Sequence, residues 1–453
     1  MKRWKWITAL SIISIFVLLS TACSGEDEED TSSTEASSSE EASSSEEQSS
    51  EEASPGEEKT IHFMHLWPQG SSAQHYKVVE EIIADFEAEH EGIKVDVEVL
   101  SNEQYKDKIT VLATSNELPD VGMTWAAGYM EPFVNGNMFA ALDDIIESDL
   151  ADAFVAGTTE AFAIDGTTYG LPLELNISTI YYNKRIFDEY GLQEPATLDE
   201  LYEIIDTLNE NGVNPIALGN RDAWTGSMWY MYLADRLGGD EDVLTQAINR
   251  EKSFNDPVLV QAAEEVQNLV EADAFVQGFN GLADEEAKSM FMSEQTAMYL
   301  IATWDLPNYT TNEDVPQEFR DSVGYFKFPS VDGSGDMNSY VGGPGVGLFV
   351  FENSDVKEEA KTFASYFVQE WGERSVTDVG VIPASKVDAD GLDLPQMYVD
   401  VLNDLNAATN ITLYADVQMS PDAAQVHLDM IQALFGGEVT PEEFAEAHEE
   451  ALE

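Results

Sequence analysis

The chain has 453 residues, 43% hydrophobic and 10% aromatic, which is enough apolar material for real cores and too much length for a single one. Its 21 lysines and arginines stand against 87 aspartates and glutamates, a net charge of −66, which excludes nucleic acid as a partner because a polyanion would be repelled. A single cysteine excludes an internal disulfide framework.

An acidic surface stays hydrated where salt screens its self-repulsion, so the composition points to a salt-loving or alkali-tolerant source. The chain opens with "MKRWKW", followed by the apolar run "ITALSIISIFVLLSTA" and then Cys23. A basic start, a short apolar stretch and a small-residue junction predict a signal peptide over residues 1–22. The junction "LSTAC" resembles a bacterial lipobox with Cys23 as the lipidated residue, except that Ser20 stands where leucine is usual. An uncleaved membrane anchor is the alternative, although the run is short for a spanning helix. Residues 24–58 contain only Ser, Glu, Asp, Thr, Ala, Gly, Gln and Pro. With Cys23 they read as an extended acidic tether, or alternatively as a partner-binding tail.

Globular composition begins at Lys59. "TIHFMHLW" reads as a strand. In the stretch that follows, Val79, Ile82, Ile83 and Phe86 fall at i, i+3, i+4 and i+7, one helical stripe, with Gly92 placed to end the helix. "IKVDVEVL" alternates as a strand with one polar face, "EQYKDKITVLATSN" reads as a helix, and "DVGMTW" as a third strand. This β-α-β-α-β order predicts an α/β fold with a parallel sheet and helices on its faces. Ligands of such sheets bind beyond the carboxyl ends of the strands, where Trp67 and Trp125 sit off any helical stripe. A second α/β block follows. "STIYYNKRIFDEYGL" passes from strand to helix, and Thr197 with Glu200 forms a capping box closed at Gly212. "NPIALG" and "VGYFKFPS" are strands, "DEEAKSMFMSEQ" is a helix, and "TAMYLIATW" is a strand ending at Trp304. The chain closes with a helix started by Thr440, Pro441 and Glu443.

Several chemistries leave no trace. There is no P-loop, no H-E-x-x-H and no G-x-S-x-G. "GGPGVGLF" has Pro344 inside it and runs into a strand pattern, so it is no dinucleotide loop; its glycines suit a crossover between domains. No cofactor and no metal is expected. Paired carboxylates for glycoside hydrolysis carry no signal among 87 acids, since any spacing occurs.

The blocks "LPDVGMTWAAGYMEPFVNGNMFAALDD", "YGLPLELNISTIYYNKRIFDEYGL", "AMYLIATWDLPNY", "GVIPASK" and "FGGEVTPEEFAEA", in this order from Lys59 to the end, resemble the extracellular solute-binding proteins of ABC importers, carbohydrate type, to which maltose-binding protein belongs. The resemblance implies a periplasmic-binding-protein-like fold of two α/β lobes joined by a hinge, with ligand between them. Lobe one would comprise 59–172 plus 344–386, and lobe two 173–343 plus 387–453. It implies a lipid-anchored protein on the extracellular face of the membrane that serves an ABC permease, works as a monomer, and binds a sugar without altering it.

The resemblance also implies site residues. Trp304, followed by Asp305, matches a tryptophan that stacks on sugar, and Trp125 matches an aromatic of the opposite lobe. Glu174 matches a polar hinge contact, and Trp224 and Trp229 fall in a block whose aromatics face the cleft. The loop from Trp67 through Gln69 to Ser72 matches one that supplies polar contacts. Tyr414, Asp416 and Gln418 match a loop from lobe two, and Gly342 and Gly343 match backbone contacts at the crossing. Trp371 lies on a helical pattern and is expected to be packed. A pyranose has an apolar C–H face that suits indole and hydroxyls that need directional partners, so aromatic plates ringed by carboxylates and carboxamides suit sugars. A secreted glycoside-active enzyme, and the same fold binding a polyamine or peptide, stay open as alternatives.

Overall fold

The computed structural model describes residues 58–452 except Asp240, Asp332, Ala389 and Asp390; the expected signal peptide, Cys23 and tether up to residue 57 lie outside the described residues. Strands β1 (Lys59–His65), β2 (Ile93–Val99) and β3 (Val121–Thr124) are joined by helices α1 (Ala73–Glu89) and α2 (Asn102–Ser115). The apolar stripe of α1 is the reason it forms and where it goes: Val79, Ile82, Ile83 and Phe86 are all buried against the sheet. Gly92 leaves α1 at φ +90°, a conformation that costs glycine nothing, and delivers the chain into β2. β1 lies between β2 and β3 and pairs parallel with both, as the β-α-β-α-β order predicts.

Two further strands complete this sheet from later in the chain. Gly347–Val350 pairs antiparallel with β3, and Leu171–Pro172 pairs antiparallel with Gly347–Val350. The parallel expectation therefore holds for the local unit and yields at the edge, where a returning segment enters from the other half.

A second sheet is built on Leu175–Asn183. It pairs antiparallel with Thr296–Ala302, Ser339–Pro344 and Val323–Phe326. Asn214–Ala217 and Asn410–Thr412 add parallel strands at its two margins. Helix Leu198–Glu210 starts at the Thr197–Glu200 capping box, and Pro441–Ala451 starts at the Thr440–Glu443 box.

Each sheet has its own hydrophobic core. One core holds Ile61 to Leu173 with Val346 to Val381, and the other holds Ile177 to Val341 with most of the segment after Ile382. The chain passes between them at Leu173–Ile177 and at Val341–Val346. It crosses again around Val376–Ile382 and returns once to the first core with Val417. The fold is thus two α/β bodies tied by several strands of chain. Among the described residues, no helix is long and apolar enough to cross a membrane.

A buried histidine pair ties the C-terminal helices to Trp224–Gly238. His448 Nδ1–H donates to Phe444 O at 2.7 Å, so its Nε2 accepts from His427 Nδ1–H at 2.8 Å. His427 Nε2 in turn accepts from the Ser227 hydroxyl at 2.6 Å. This order has no vacancy for another proton. Burial pushes His448 down to about 4, and burial together with His448 pushes His427 well below the ordinary histidine range. The unfolded chain takes up protons below about pH 6.5, whereas the folded pair resists them until about 4. The contribution is therefore complete above about pH 6.5 and is lost as pH falls towards 4, by about 3 kcal/mol for His448 alone. Urea unfolding between pH 7.5 and 4.5 is expected to show this decline, and a His427→Leu/His448→Phe double substitution is expected to flatten it. An equally steep decline in the double variant would contradict the assignment.

Candidate functional site

The carboxyl ends of β1 and β3 open onto a cleft of about 1310 Å³, mouth included, whose walls come from both bodies. The strand Thr296–Ala302 runs out at Ala302, and the chain turns through Thr303–Tyr309, which sets Trp304 on the cleft wall instead of in the sheet. Trp304 is half-buried. Its ring centroid lies 6.0 Å from Trp224, nearly edge-on, and 5.8 Å from Tyr414. On the other body Trp125 lies 4.9 Å from Tyr129, and the Lys106 ammonium covers it 5.1 Å from the ring centroid. Tyr414 packs partly against both cores. Indoles and a phenol from the two halves therefore share one opening.

The polar groups form two clusters. At the floor, where the chain crosses, His75 Nε2–H donates to Glu174 Oε1 at 3.2 Å, both groups being almost fully buried. On the second body's wall, Lys288 Nζ donates to Asp305 Oδ1 at 2.9 Å, and Asn308 Nδ2 donates to the same oxygen at 2.8 Å. The Tyr309 hydroxyl holds the other Asp305 oxygen. Asp284, bonded by Tyr299, is pushed up to about 7 by burial, against the pull of Lys288. Burial alone would lower Lys288, but Asp305 and Asp284 outweigh it and raise it, so its charge is secure. Asp416 is raised by burial, with Lys106 opposing. In all, Glu103, Glu174, Asp222, Asp284, Glu285, Asp305 and Asp416 line the cleft, seven carboxyl groups against Lys106 and Lys288. Such a lining suits a neutral or cationic ligand rich in donors and repels an anionic one. Among the described residues, no group of His, Cys, Asp and Glu is arranged to hold a metal ion.

The structure brings Trp67, Ser72, Trp125, Glu174, Trp224, Trp304, Asp305, Tyr414 and Asp416 to this cleft. Trp67 shows it only an edge: it is 5% exposed and stacks on Trp371 at 4.7 Å and 9°. Five expected residues lie off the wall. Trp229 is corrected to a core residue, 0% exposed between Phe275 and Phe328. Five positions along a helix turn it about 140° from Trp224, so the two cannot share a face. Gln69 sits exposed in its loop. Gly342 and Gly343 are absorbed into the pairing with Ile177 and Asn176, and Gly345, two residues on, lines the cleft instead. Gln418 turns to Thr245, 3.3 Å away. Sequence reasoning missed His75, Lys106, Asn176, Lys288 and Asn308. Gly345 sat within a motif already singled out and was the one nearby signal.

Residues 69–370 match the family of bacterial extracellular solute-binding proteins. The chain belongs to that family. A solute-binding protein relative, an uncharacterized ABC transporter extracellular-binding protein of Pyrococcus horikoshii, is 24% identical over 308 residues, 66% of this chain and 64% of that relative's length. The melibiose/raffinose/stachyose-binding protein of Bacillus subtilis is 24% identical over 366 residues, 77% of each chain. A structure solved in work on xylan utilization by the thermophilic bacterium Caldanaerobius polysaccharolyticus superposes with a TM-score of 0.81 at 30% identity, covering 86% of this chain and 99% of that one. The fold of this solute-binding protein is thus the two-lobed fold of its family, in which the Bacillus subtilis relative is named as a sugar-binding protein.

Proposed function

We propose that this solute-binding protein captures a neutral oligosaccharide between its two lobes and passes it, chemically unchanged, to an ABC permease. The observation that carries the reading is the cleft itself: Trp304, Trp224 and Tyr414 on one side and Trp125 on the other, around buried Glu174 and Asp305 and half-buried Asn308. Stacking on the rings accounts for the apolar faces of pyranoses, and the carboxylates and amides account for their hydroxyls. Xylan-derived chains are the first choice, from the relative of 30% identity, and raffinose is the second. On the same reading lobe one is 59–172 with 344–386, lobe two is 173–343 with 387–453, and Cys23 carries a lipid that holds the monomer outside the membrane. The net charge of −66 suits work in concentrated salt.

The excess of carboxyl groups favours one competing ligand class, polyamines, which also sit between aromatics. Calorimetric titration at high salt with xylotriose, raffinose and spermidine separates the readings, with the sugar recovered and weighed by mass spectrometry. Saturable binding of a trisaccharide of unchanged mass is expected. Binding of spermidine alone would refute the sugar, and a shortened saccharide would refute the absence of catalysis.

A further inference from the structure

The indoles that the two bodies bring to the opening are not equivalent. Trp304 meets only other rings, Trp224 and Tyr414. Trp125 carries a cation: the Lys106 ammonium lies over its ring, 5.1 Å from the centroid. The negative face of an indole attracts an ammonium, and a face so covered is closed to the C–H side of a pyranose. The fold puts Lys106 there. Helix α2 is fixed in rotation by buried Tyr105 and Ile109, the Tyr105 hydroxyl donating to Met123 O of β3 at 2.7 Å. One residue further is about 100° round the helix, which carries Lys106 to the end of β3 where Trp125 sits.

Lys106 is poorly provided with acceptors. It lines the cleft with its side chain 25% exposed. Its ion partner, Glu103 Oε1, stands at 3.8 Å, too far for a hydrogen bond, and that oxygen already accepts from Asn102 Nδ2 at 2.6 Å. The other lysine of the cleft differs: Lys288 Nζ donates to Asp305 Oδ1 at 2.9 Å. An ammonium has three donors and no acceptor. Among the described residues, no oxygen takes a hydrogen bond from Lys106 Nζ, so its donors are left to whatever enters the cleft.

We infer that Trp125 serves this cleft as the seat of Lys106 and not as a second stacking plate, and that the Lys106 ammonium is the donor which the first body offers to an oxygen of the bound saccharide. The inference rests on the carbohydrate reading and narrows it. A sugar ring held by this wall presents an oxygen to it, while a C–H face goes to Trp304. A plate accepts any flat apolar face, whereas a donor discriminates by where the oxygen stands on the ring. Lys106 is then a specificity-determining residue, and Trp125 positions it.

The test is titration of xylotriose and raffinose into the full-length protein and into Lys106→Met, Trp125→Leu and the double variant, each checked for native circular dichroism. Lys106→Met keeps the aliphatic stem and removes the donors. It is expected to weaken the bound trisaccharide roughly tenfold. The Tm of the empty variant is expected to stay close to the parent's, since so exposed an ion pair contributes little. Trp125→Leu is expected to weaken binding in the parent and to cost nothing further beside Lys106→Met, because the indole acts through the lysine. A stacking role for Trp125 gives the opposite pattern: Lys106→Met uncovers the plate and leaves affinity unchanged or raised, and Trp125→Leu costs as much in either background. Either half of that pattern would overturn the inference and leave the sugar reading intact. Lys106→Met alone decides where Trp125→Leu fails to fold. Failure of the unsubstituted protein to bind either trisaccharide would overturn both.

Discussion

Trp304→Ala is expected to weaken xylotriose or raffinose binding by about 30- to 150-fold and to abolish the rise in Tm that the sugar produces. An aromatic side chain buries roughly 150–250 Å² when fully covered. At about 25 cal/mol per Å², covering the half that faces the cleft stabilises a complex by about 2–3 kcal/mol. Trp304 is half-buried in the empty cleft, meeting Trp224 nearly edge-on and Tyr414 at a tilt. The variant is therefore expected to keep its fold and lose its ligand. Undiminished ligand-induced stabilisation in Trp304→Ala would remove that indole from the site.

Trp371→Ala is expected to do the reverse. Trp371 is 0% exposed, stacks on Trp67 at 4.7 Å and on Phe367 at 5.8 Å, and donates from Nε1 to Leu173 O at 3.2 Å. Truncation leaves a ring-sized cavity in the first core and removes one of the two hydrogen bonds to the Leu173 carbonyl, which keeps the one from the Ala384 N–H. The expected loss is about 3–5 kcal/mol of stability, read from urea unfolding. Because Trp67 loses the plate beneath it, some affinity goes too, as a consequence of loosened packing. Full stability with lost binding would contradict the assignment of Trp371 to the core.

The contrast between these two tryptophans shows what sequence carries and what it omits. Local physics made the elements legible: the apolar stripe of α1, the boxes at Thr197 and Thr440, the alternation of β2. It also located the mouth of the first sheet. It did not separate Trp67 from Trp125 or Trp304, since all three follow strands and precede turns. Trp67 is covered because Trp371, from a helix near the far end of the chain, stacks on it. Trp125 meets Lys106 and the edge of Tyr129 and stays half-buried on the cleft wall. For Trp229 the helical period alone would have argued against sharing a face with Trp224. The polar half of the site was the least legible. His75 meets Glu174, and Asn176 meets Gly345, only once the crossing strands are laid side by side. Lys288 and Asp305 come together between a helix and the turn beyond a strand, with no spacing that marks either. One lysine among so many acids carried no signal until its partner was known.

The measurement that bears most directly on the central claim is a crystal structure of the protein grown with xylotriose or raffinose, whichever titrates. The account predicts a pyranose lying against the open face of Trp304, inside the opening shared with Trp125. A saccharide bound elsewhere on the surface, with the cleft between the two bodies empty, would contradict it.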